Sequence, residues 1–409
     1  MSRTATRHLL ERQLLVLVTL GLTAFGLVMV YSATSGSAAI SDRNPTSYLE
    51  RQAVYALLGL GLMIAGARFD YRRLRALAPG LVLGSLALCL LVLVAGTRVN
   101  GARRWLSLGP AAFQPSELAK LSLAIWVAGY LARRRAPKTV RELARPIGLL
   151  AAIFCGLILL EPDLGTAIAI VVMLASVLLV SGAPLGTLGA GTGIATALGL
   201  GAIWLEPYRR ARLFTFLHPW HDPTGAGLQN VQALISLGSG GLLGRGLGNG
   251  IEKIHYLPEA HTDMILGVIG EELGLVGVAG VIAAYAVFAY AGLRLALTCR
   301  DPFGKRLAAG LTALVCGQAV INLAAVLGLA PLTGIPLPFV SYGGSSLVVQ
   351  LASVGILLNI AGGHAGAARA QVPDRGRRDG GTRPAGARGR GGAAGARRAS
   401  DVRRVAGSR

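Results

Sequence analysis

The residues of this chain that could do chemistry stand in short clusters at the edges of long apolar runs. Leu257-Pro-Glu-Ala-His-Thr-Asp263 ends on a carboxylate where a polar loop enters an apolar segment. A carboxylate there can accept a proton from a hydroxyl group; a helix N-terminus favours its charged form and apolar surroundings oppose it. The structural alternative is an aspartate that only satisfies backbone N–H groups at a helix start. Glu259 and His261 could support Asp263 or hold a metal, but their spacing matches no recognised metal site. Glu161-Pro-Asp-Leu-Gly165 places two carboxylates in one turn. Capping the next helix accounts for Asp163; Glu161 has no such simple explanation.

Basic residues supply the complementary signal. Asn100-Gly-Ala-Arg-Arg-Trp105 carries Arg103 and Arg104 side by side, and Tyr208-Arg-Arg-Ala-Arg212 adds Arg209, Arg210 and Arg212. Guanidinium groups hold phosphate oxygens bidentately, and Trp105 suits a membrane interface. The alternative for each is an interfacial anchor. In Gln114-Pro-Ser-Glu-Leu-Ala-Lys120 the spacing puts Glu117 and Lys120 on one helix face, where they pair. Gly238 to Gly250 is glycine-rich but lacks the Gly-Lys-Ser/Thr end of a phosphate loop, so tight turns and close backbone contacts are expected instead. Last, Asn322 precedes the stretch Gly328 to Ser346, which includes Ser341, Gly343 and Gly344 and is interrupted by Pro331, Pro336 and Pro338. Irregular backbone of this kind is tolerated at membrane depth only when buried in protein or lining a cavity.

The elements that must position these groups are membrane helices. Of 409 residues 53% are hydrophobic and 14% charged, with mean hydropathy +0.57; soluble domains carry about 25% charged residues. The net charge of +21 suggests nucleic acid until it is mapped: residues 363–409 hold 12 Arg and 3 Asp. That Arg/Gly/Ala-rich tail lacks core-forming residues and reads as a disordered cytoplasmic extension, either solvated or bound to anionic lipid or a partner. The four cysteines stand singly and read as packing residues. Ten apolar runs, 13–31, 52–67, 76–97, 116–132, 146–160, 164–181, 184–205, 262–293, 307–330 and 341–362, predict an all-α polytopic protein with ten transmembrane helices over residues 1–362. The first run exceeds the length of a signal-peptide core and reads as an uncleaved anchor. With the N-terminus inside, inner segments hold 29 Lys and Arg against 11 outside, which places both termini in the cytoplasm and loop 206–261 outside. Twelve of the 19 acidic residues, Asp263 among them, then lie at the outer side. Chemistry is expected there, not on a cytoplasmic nucleotide.

The run from Asn322 to Ser346 resembles the signature of the SEDS family of cell-shape, division and sporulation membrane proteins. The resemblance extends over about residues 10–362 and includes Asn100–Trp105, Gln114–Glu117, Glu161–Thr166, Leu257–Asp263 and Gly270-Glu-Glu-Leu-Gly274. Leu257–Asp263 and His218-Pro-Trp-His-Asp-Pro223 look more like the division branch than the elongation branch. Met264 departs from the pattern, since relatives often carry Phe there.

The resemblance implies a peptidoglycan glycosyltransferase that polymerises lipid II into a growing glycan strand at the outer face of the cytoplasmic membrane. It implies work at the division septum with a cognate class B penicillin-binding protein and other divisome proteins. The family's essential aspartate maps onto Asp263, which turns the reading of that residue from a cap to a general base. Undecaprenyl pyrophosphate is the implied leaving group. Charge growing on it calls for Arg103, Arg104, Lys120, Arg209, Arg210, Arg212 or a divalent cation such as Mg or Mn. No Asp-X-Asp motif assigns metal ligands. A lipid II flippase and a division scaffold without chemistry are the alternatives; no nucleic acid is expected.

Overall fold

The computed structural model describes residues 3–40, 46–99, 102–109, 111–225, 227–251 and 257–370. Asn100, Gly101, Glu252, Tyr256 and the tail from 371 onward lie outside the described residues. The chain opens with α1 (Arg3–Ile40), α2 (Ser47–Arg68) and α3 (Tyr71–Ala95), followed by strands β1 (Thr97–Val99), β2 (Ala102–Leu108) and β3 (Ala111–Phe113). Then come α4 (Pro115–Arg133), the short α5 (Val140–Leu143), α6 (Leu149–Leu160), α7 (Leu164–Val180), α8 (Leu185–Leu205), α9 (Pro207–Leu217) and α10 (Leu228–Ser239). The chain continues with α11 (Ile265–Thr298), α12 (Pro302–Val326) and α13 (Gly344–Ala370). Every apolar run read from the sequence falls on a helix, and α13 extends past residue 362.

Among the described residues seven segments are helical, long and apolar enough to cross a membrane: Leu9–Ser35, Tyr71–Ala95, Val140–Leu160, Leu185–Leu205, Ile265–Thr298, Pro302–Val326 and Gly344–Gly363. The helices α2, α4 and α7 do not meet that standard, so composition and length support seven spans where the sequence reading expected ten. The reason is visible in each. The helix α7 has only 17 residues, while α2 carries Glu50, Arg51 and Arg68, and α4 carries Glu117 and Lys120. In α4 the polar groups face protein: it packs against α3, α7 and α12, and Glu117 and Lys120 are both buried.

Two features went unread in the sequence. The segment between α3 and α4 forms a three-stranded antiparallel sheet in the order β1-β2-β3, and loop 206–261 contains the helices α9 and α10. The sheet matters because successive side chains on a strand point to opposite faces, and Arg103 and Arg104 are neighbours on β2.

The glycine-rich stretch before residue 250 acquires its purpose from α11. That helix is broken at Gly274, where φ is +65° and ψ −162°. A break there takes the carbonyls of 271 and 272 and the amides of 275 and 276 out of helical pairing. Unpaired backbone groups at membrane depth cost several kcal/mol each. All four are recovered by one loop: Arg245 and Gly246 donate to the Glu271 and Glu272 carbonyls at 2.9 and 3.0 Å, and Leu275 and Val276 donate to Gly241 and Leu242 at 3.0 and 3.2 Å. Such splicing needs bare backbone. A Cβ on Gly240 would overlap the Gly270 carbonyl, and one on Gly274 would overlap the Gly244 amide and the Leu242 carbonyl. Gly274→Ala therefore destabilises the protein by more than about 1 kcal/mol, through both the left-handed backbone and the overlap. A thermal unfolding midpoint in detergent equal to that of the parent chain would show that the loop and helix part without cost.

Candidate active site

Asp263 lies in the turn before α11 and is 8% exposed. It does not cap the helix. The N-cap position belongs to Met264, and no side chain closes that end. The Asp263 carboxylate instead accepts from the Thr262 hydroxyl at 3.3 Å. The same hydroxyl lies 2.9 Å from the Glu259 carboxylate. Glu259 itself adopts a left-handed φ of +55° and accepts from the amides of Thr262 and Met264, so it shapes the turn. Burial pushes the Asp263 carboxyl up to about 6, Glu259 adds to the rise, and Arg212 opposes it. At neutral pH the group is thus mostly ionised, with a basicity close to the working range of a general base.

Two arginines converge on the same region from different elements. Arg212, on α9, lies over the Tyr208 ring and donates to the Leu332 carbonyl at 3.1 Å. Arg104, on β2, donates to the Glu161 carbonyl at 2.8 Å and to the Pro162 carbonyl. Their Nη1 atoms stand 3.9 and 4.0 Å from the point where a Cβ on Gly334 would lie, so the loop at residue 334 comes within ordinary contact distance of both guanidinium groups. Gly165 also permits close approach, because a Cβ there would press into Ile335 and Thr333. The turn bearing Glu161 can therefore lie against the loop beside the two arginines.

Glu161 is 0% exposed, and neither carboxylate oxygen has a hydrogen-bond partner among the described residues. Burial pushes its carboxyl up to about 8, Asp163 adds to this, and Arg104 opposes it. Burial thus favours the neutral form of both carboxyls, more strongly at Glu161 than at Asp263. Environments that drive two carboxyls apart in this way are a mark of acid and base roles.

The other residues singled out by sequence divide between this site and its frame. Arg103 faces away from Arg104 and donates to the Leu93 and Val94 carbonyls at 3.2 and 3.1 Å, closing the end of α3. Arg209 donates to the carbonyls of Ala202 and Leu159, tying the ends of α8 and α6. Arg210 is half-buried on α9, and Trp105 is half-buried on β2. Lys120 and Glu117 form an internal ion pair of 2.8 Å. Asp163 caps α7 through the Thr166 amide at 3.0 Å and also accepts from Gln114 at 3.2 Å, joining the starts of α4 and α7. His261 packs edge-on against Tyr48 at 4.8 Å and beside Tyr342 at 5.6 Å. Burial lowers its pKa, with Glu259 opposing. Ser341 accepts from the Leu337 amide at 2.8 Å, Gly343 donates to Gln52, and Gly344 makes room for the Tyr55 ring.

The sequence marks Asn322 only as part of a motif; its role as a clamp is visible in three dimensions. Its side-chain amide donates to the Asp263 carbonyl at 2.7 Å and to the Ile335 carbonyl at 2.9 Å. It thereby ties the backbone under the carboxylate to the loop beside the two arginines. The rest of that irregular loop is likewise satisfied by side chains: Gln52 donates to Ser341 at 3.1 Å, and Tyr285 donates to Pro338. Gln350 accepts from Phe339 at 3.2 Å. Tyr48 and Gln52 carry no sequence signal, because nothing local marks a partner about 290 residues away. Among the described residues no group of three or more His, Cys, Asp and Glu is placed to hold a metal ion. Asp263 and Glu259 offer two carboxylates bridged by a hydroxyl, a donor set that a magnesium-type ion completes only with water and phosphate oxygens.

A helical membrane protein with a buried carboxylate and two arginines at one end of its bundle defines the class of molecule. The FtsW/RodA/SpoVE cell cycle protein model matches residues 12–365, and the chain belongs to this family, the SEDS proteins. It is 41% identical over 363 residues to the probable peptidoglycan glycosyltransferase FtsW of Geobacter metallireducens, covering 85% of this chain and 93% of the relative. The probable peptidoglycan glycosyltransferase FtsW of Nitrosococcus halophilus is 44% identical over 348 residues, covering 83% and 89%. Among solved structures, a chain of a peptidoglycan synthase complex that coordinates polymerization and crosslinking superposes with a TM-score of 0.71 at 36% identity, covering 85% of this chain and 97% of that one. The rod shape determining protein RodA of Thermus thermophilus gives a TM-score of 0.63 at 34% identity, covering 85% and 95%.

Proposed function

We propose that this chain is a peptidoglycan glycosyltransferase that polymerises lipid II at the outer face of the cytoplasmic membrane during cell division. The observation that carries this reading is a buried Asp263 that Asn322 ties to the loop whose Gly334 lies beside both Arg212 and Arg104. Asp263 removes the proton from the 4-hydroxyl of the acceptor GlcNAc as that oxygen attacks the anomeric carbon of the donor. The bond to undecaprenyl pyrophosphate breaks with inversion, and the two guanidinium groups neutralise the charge that grows on the leaving phosphate. Glu161 is fully buried and acts on the site through Arg104, which its backbone carbonyl holds. Arg103, Arg209 and the Glu117–Lys120 pair act on the site through the helix ends and interior that they hold together.

Family membership and the synthase-complex relative support a cognate class B penicillin-binding protein as crosslinking partner, and the FtsW relatives support the division branch and the septum. Reconstitution of the purified protein with lipid II and that partner tests the function. Glycan polymer is the expected product. Lipid II crossing the bilayer without polymer would identify a flippase, and neither result would leave only a scaffold.

The orientation rests on the 29-to-11 distribution of basic residues. Counting the more polar, protein-packed α2, α4 and α7 as crossings beside the seven apolar helices gives ten, and with both termini inside this places α9 and α10 outside. A cysteine introduced near Gly225 should react with an impermeant thiol reagent on intact cells, and one in the tail should not. The reverse pattern overturns the orientation, and with it the outward-facing site.

A further inference from the structure

We infer that the end of the bundle opposite Asp263 carries a binding site for the headgroup of an anionic phospholipid. The helix α4 begins next to Asp163 through Gln114 and runs 19 residues to Arg133, so its far end lies about 28 Å away. There a cavity of about 480 Å³ is lined by Arg133, Arg134, Arg135, Lys138, Arg306 and Ser181, and no acidic residue lines it. Of the acids nearby, Asp301 acts on Arg306 through its charge, but both it and Glu142 spend their hydrogen bonds elsewhere. Asp301 accepts from the Tyr71 hydroxyl at 2.9 Å and the Gly304 amide at 3.0 Å, and Glu142 accepts from the Lys138 backbone amide at 2.9 Å.

Positive residues at a cytoplasmic helix end have two ordinary explanations, orientation in the membrane and complement to the negative end of a helix. Arg133 to Arg135, at the end of α4, fit both. Arg306 does not fit the second. It stands near the start of α12, where the helix field disfavours a cation, and it is half-buried. It is also held in place: Nε donates to the Ser181 hydroxyl at 2.9 Å and Nη1 to the Pro302 carbonyl at 2.8 Å. Nη2 is left without a partner among the described residues. Five like charges around one cavity repel one another unless an anion enters, and a fixed guanidinium is suited to phosphate.

A second feature selects a lipid over a free anion. Arg133 and Arg134 are shared with an adjoining groove of about 260 Å³ along α3 and α4, which Arg75 also lines and which is floored by Pro79, Trp126 and Tyr130. Trp126 and Tyr130 stack at 5.3 Å, and Arg134 lies over the Tyr130 ring at 5.1 Å. A basic cavity opening onto an apolar, aromatic groove matches an amphiphile with a phosphodiester head and an acyl chain. With the orientation given above, the lipid comes from the inner leaflet.

The test uses the full-length protein, purified in a non-ionic detergent, with native mass spectrometry and thermal unfolding as readouts. Phosphatidylglycerol should remain bound and raise the unfolding midpoint, whereas phosphatidylcholine and inorganic phosphate at matched concentration should not. Arg306→Gln should weaken phosphatidylglycerol binding about tenfold, the loss expected for one charged hydrogen-bond partner. Lys138→Gln is read in the same way should Arg306→Gln fail to fold. Trp126→Ala should weaken the lipid alone. Unchanged phosphatidylglycerol binding in Arg306→Gln and Lys138→Gln overturns the site. An equal shift with inorganic phosphate overturns the lipid assignment in favour of a free anion. A shift with a phosphorylated peptide but not with phosphatidylglycerol overturns it in favour of a protein partner.

Discussion

Asp263→Asn should lower polymerisation of lipid II by at least about 10²-fold, the lower bound for loss of a general base. The substitution keeps the size of the side chain and removes its charge and basicity. Its cost to the fold is small, because the N-cap position of α11 is Met264 and the Asp263 side chain closes no helix end. The Asn322 clamp grips the backbone carbonyl of residue 263, which asparagine retains. The variant should therefore fold and co-purify with its partner. The parent protein adds a pH signature. With its carboxyl raised to about 6, Asp263 passes from acid to base as pH rises through that value, so the rate should climb with pH and level off above it. Asp263→Asn should lack that limb. Asp263→Glu moves the base by one methylene and should fail to restore the parent rate. Full polymerisation by Asp263→Asn, in protein that still binds its partner, would remove this residue as the base and direct attention to Glu161 or Glu259.

The second large effect separates two adjacent arginines. Arg104→Ala and Arg212→Ala should each reduce kcat/KM for lipid II by roughly 10–100-fold, because each removes a charged donor from a leaving phosphate, worth about 1.5–3 kcal/mol. Arg103→Ala should act differently. Its guanidinium closes the end of α3, so its loss should lower the unfolding temperature while the folded fraction keeps near-normal kinetics. Measuring kinetics and melting on all three variants distinguishes the cases. Arg103→Ala with full stability and the largest kinetic loss would show that the strand presents the opposite face to substrate. Near-normal kinetics in Arg104→Ala and Arg212→Ala together would remove both arginines beside Gly334 as phosphate ligands.

The sequence by itself determined that this is a helical membrane protein, because apolar runs of membrane length are a one-dimensional property. It also determined which motifs mark the family, and it located Asp163 as a cap, Glu117 and Lys120 as a pair, and the glycines before residue 250 as sites of close backbone contact. Each of these depends on neighbours within a few positions or on composition. It did not reveal the small sheet, since three short strands in a polar connector leave almost no periodic signal. Without the sheet, Arg103 and Arg104 look equivalent; the pleat of β2 sends them to different faces. Only the tertiary structure decided that Arg212 is the basic residue whose charge acts on Asp263, that Glu161 is buried with its carboxyl pushed up, and that Asn322 binds residues 263 and 335 together. The physical reason is common to all three. Burial, field and hydrogen-bond partner are set by groups contributed from α9, β2, the α6–α7 turn and the loop after α12, and no local pattern in the chain encodes which of those segments will become neighbours.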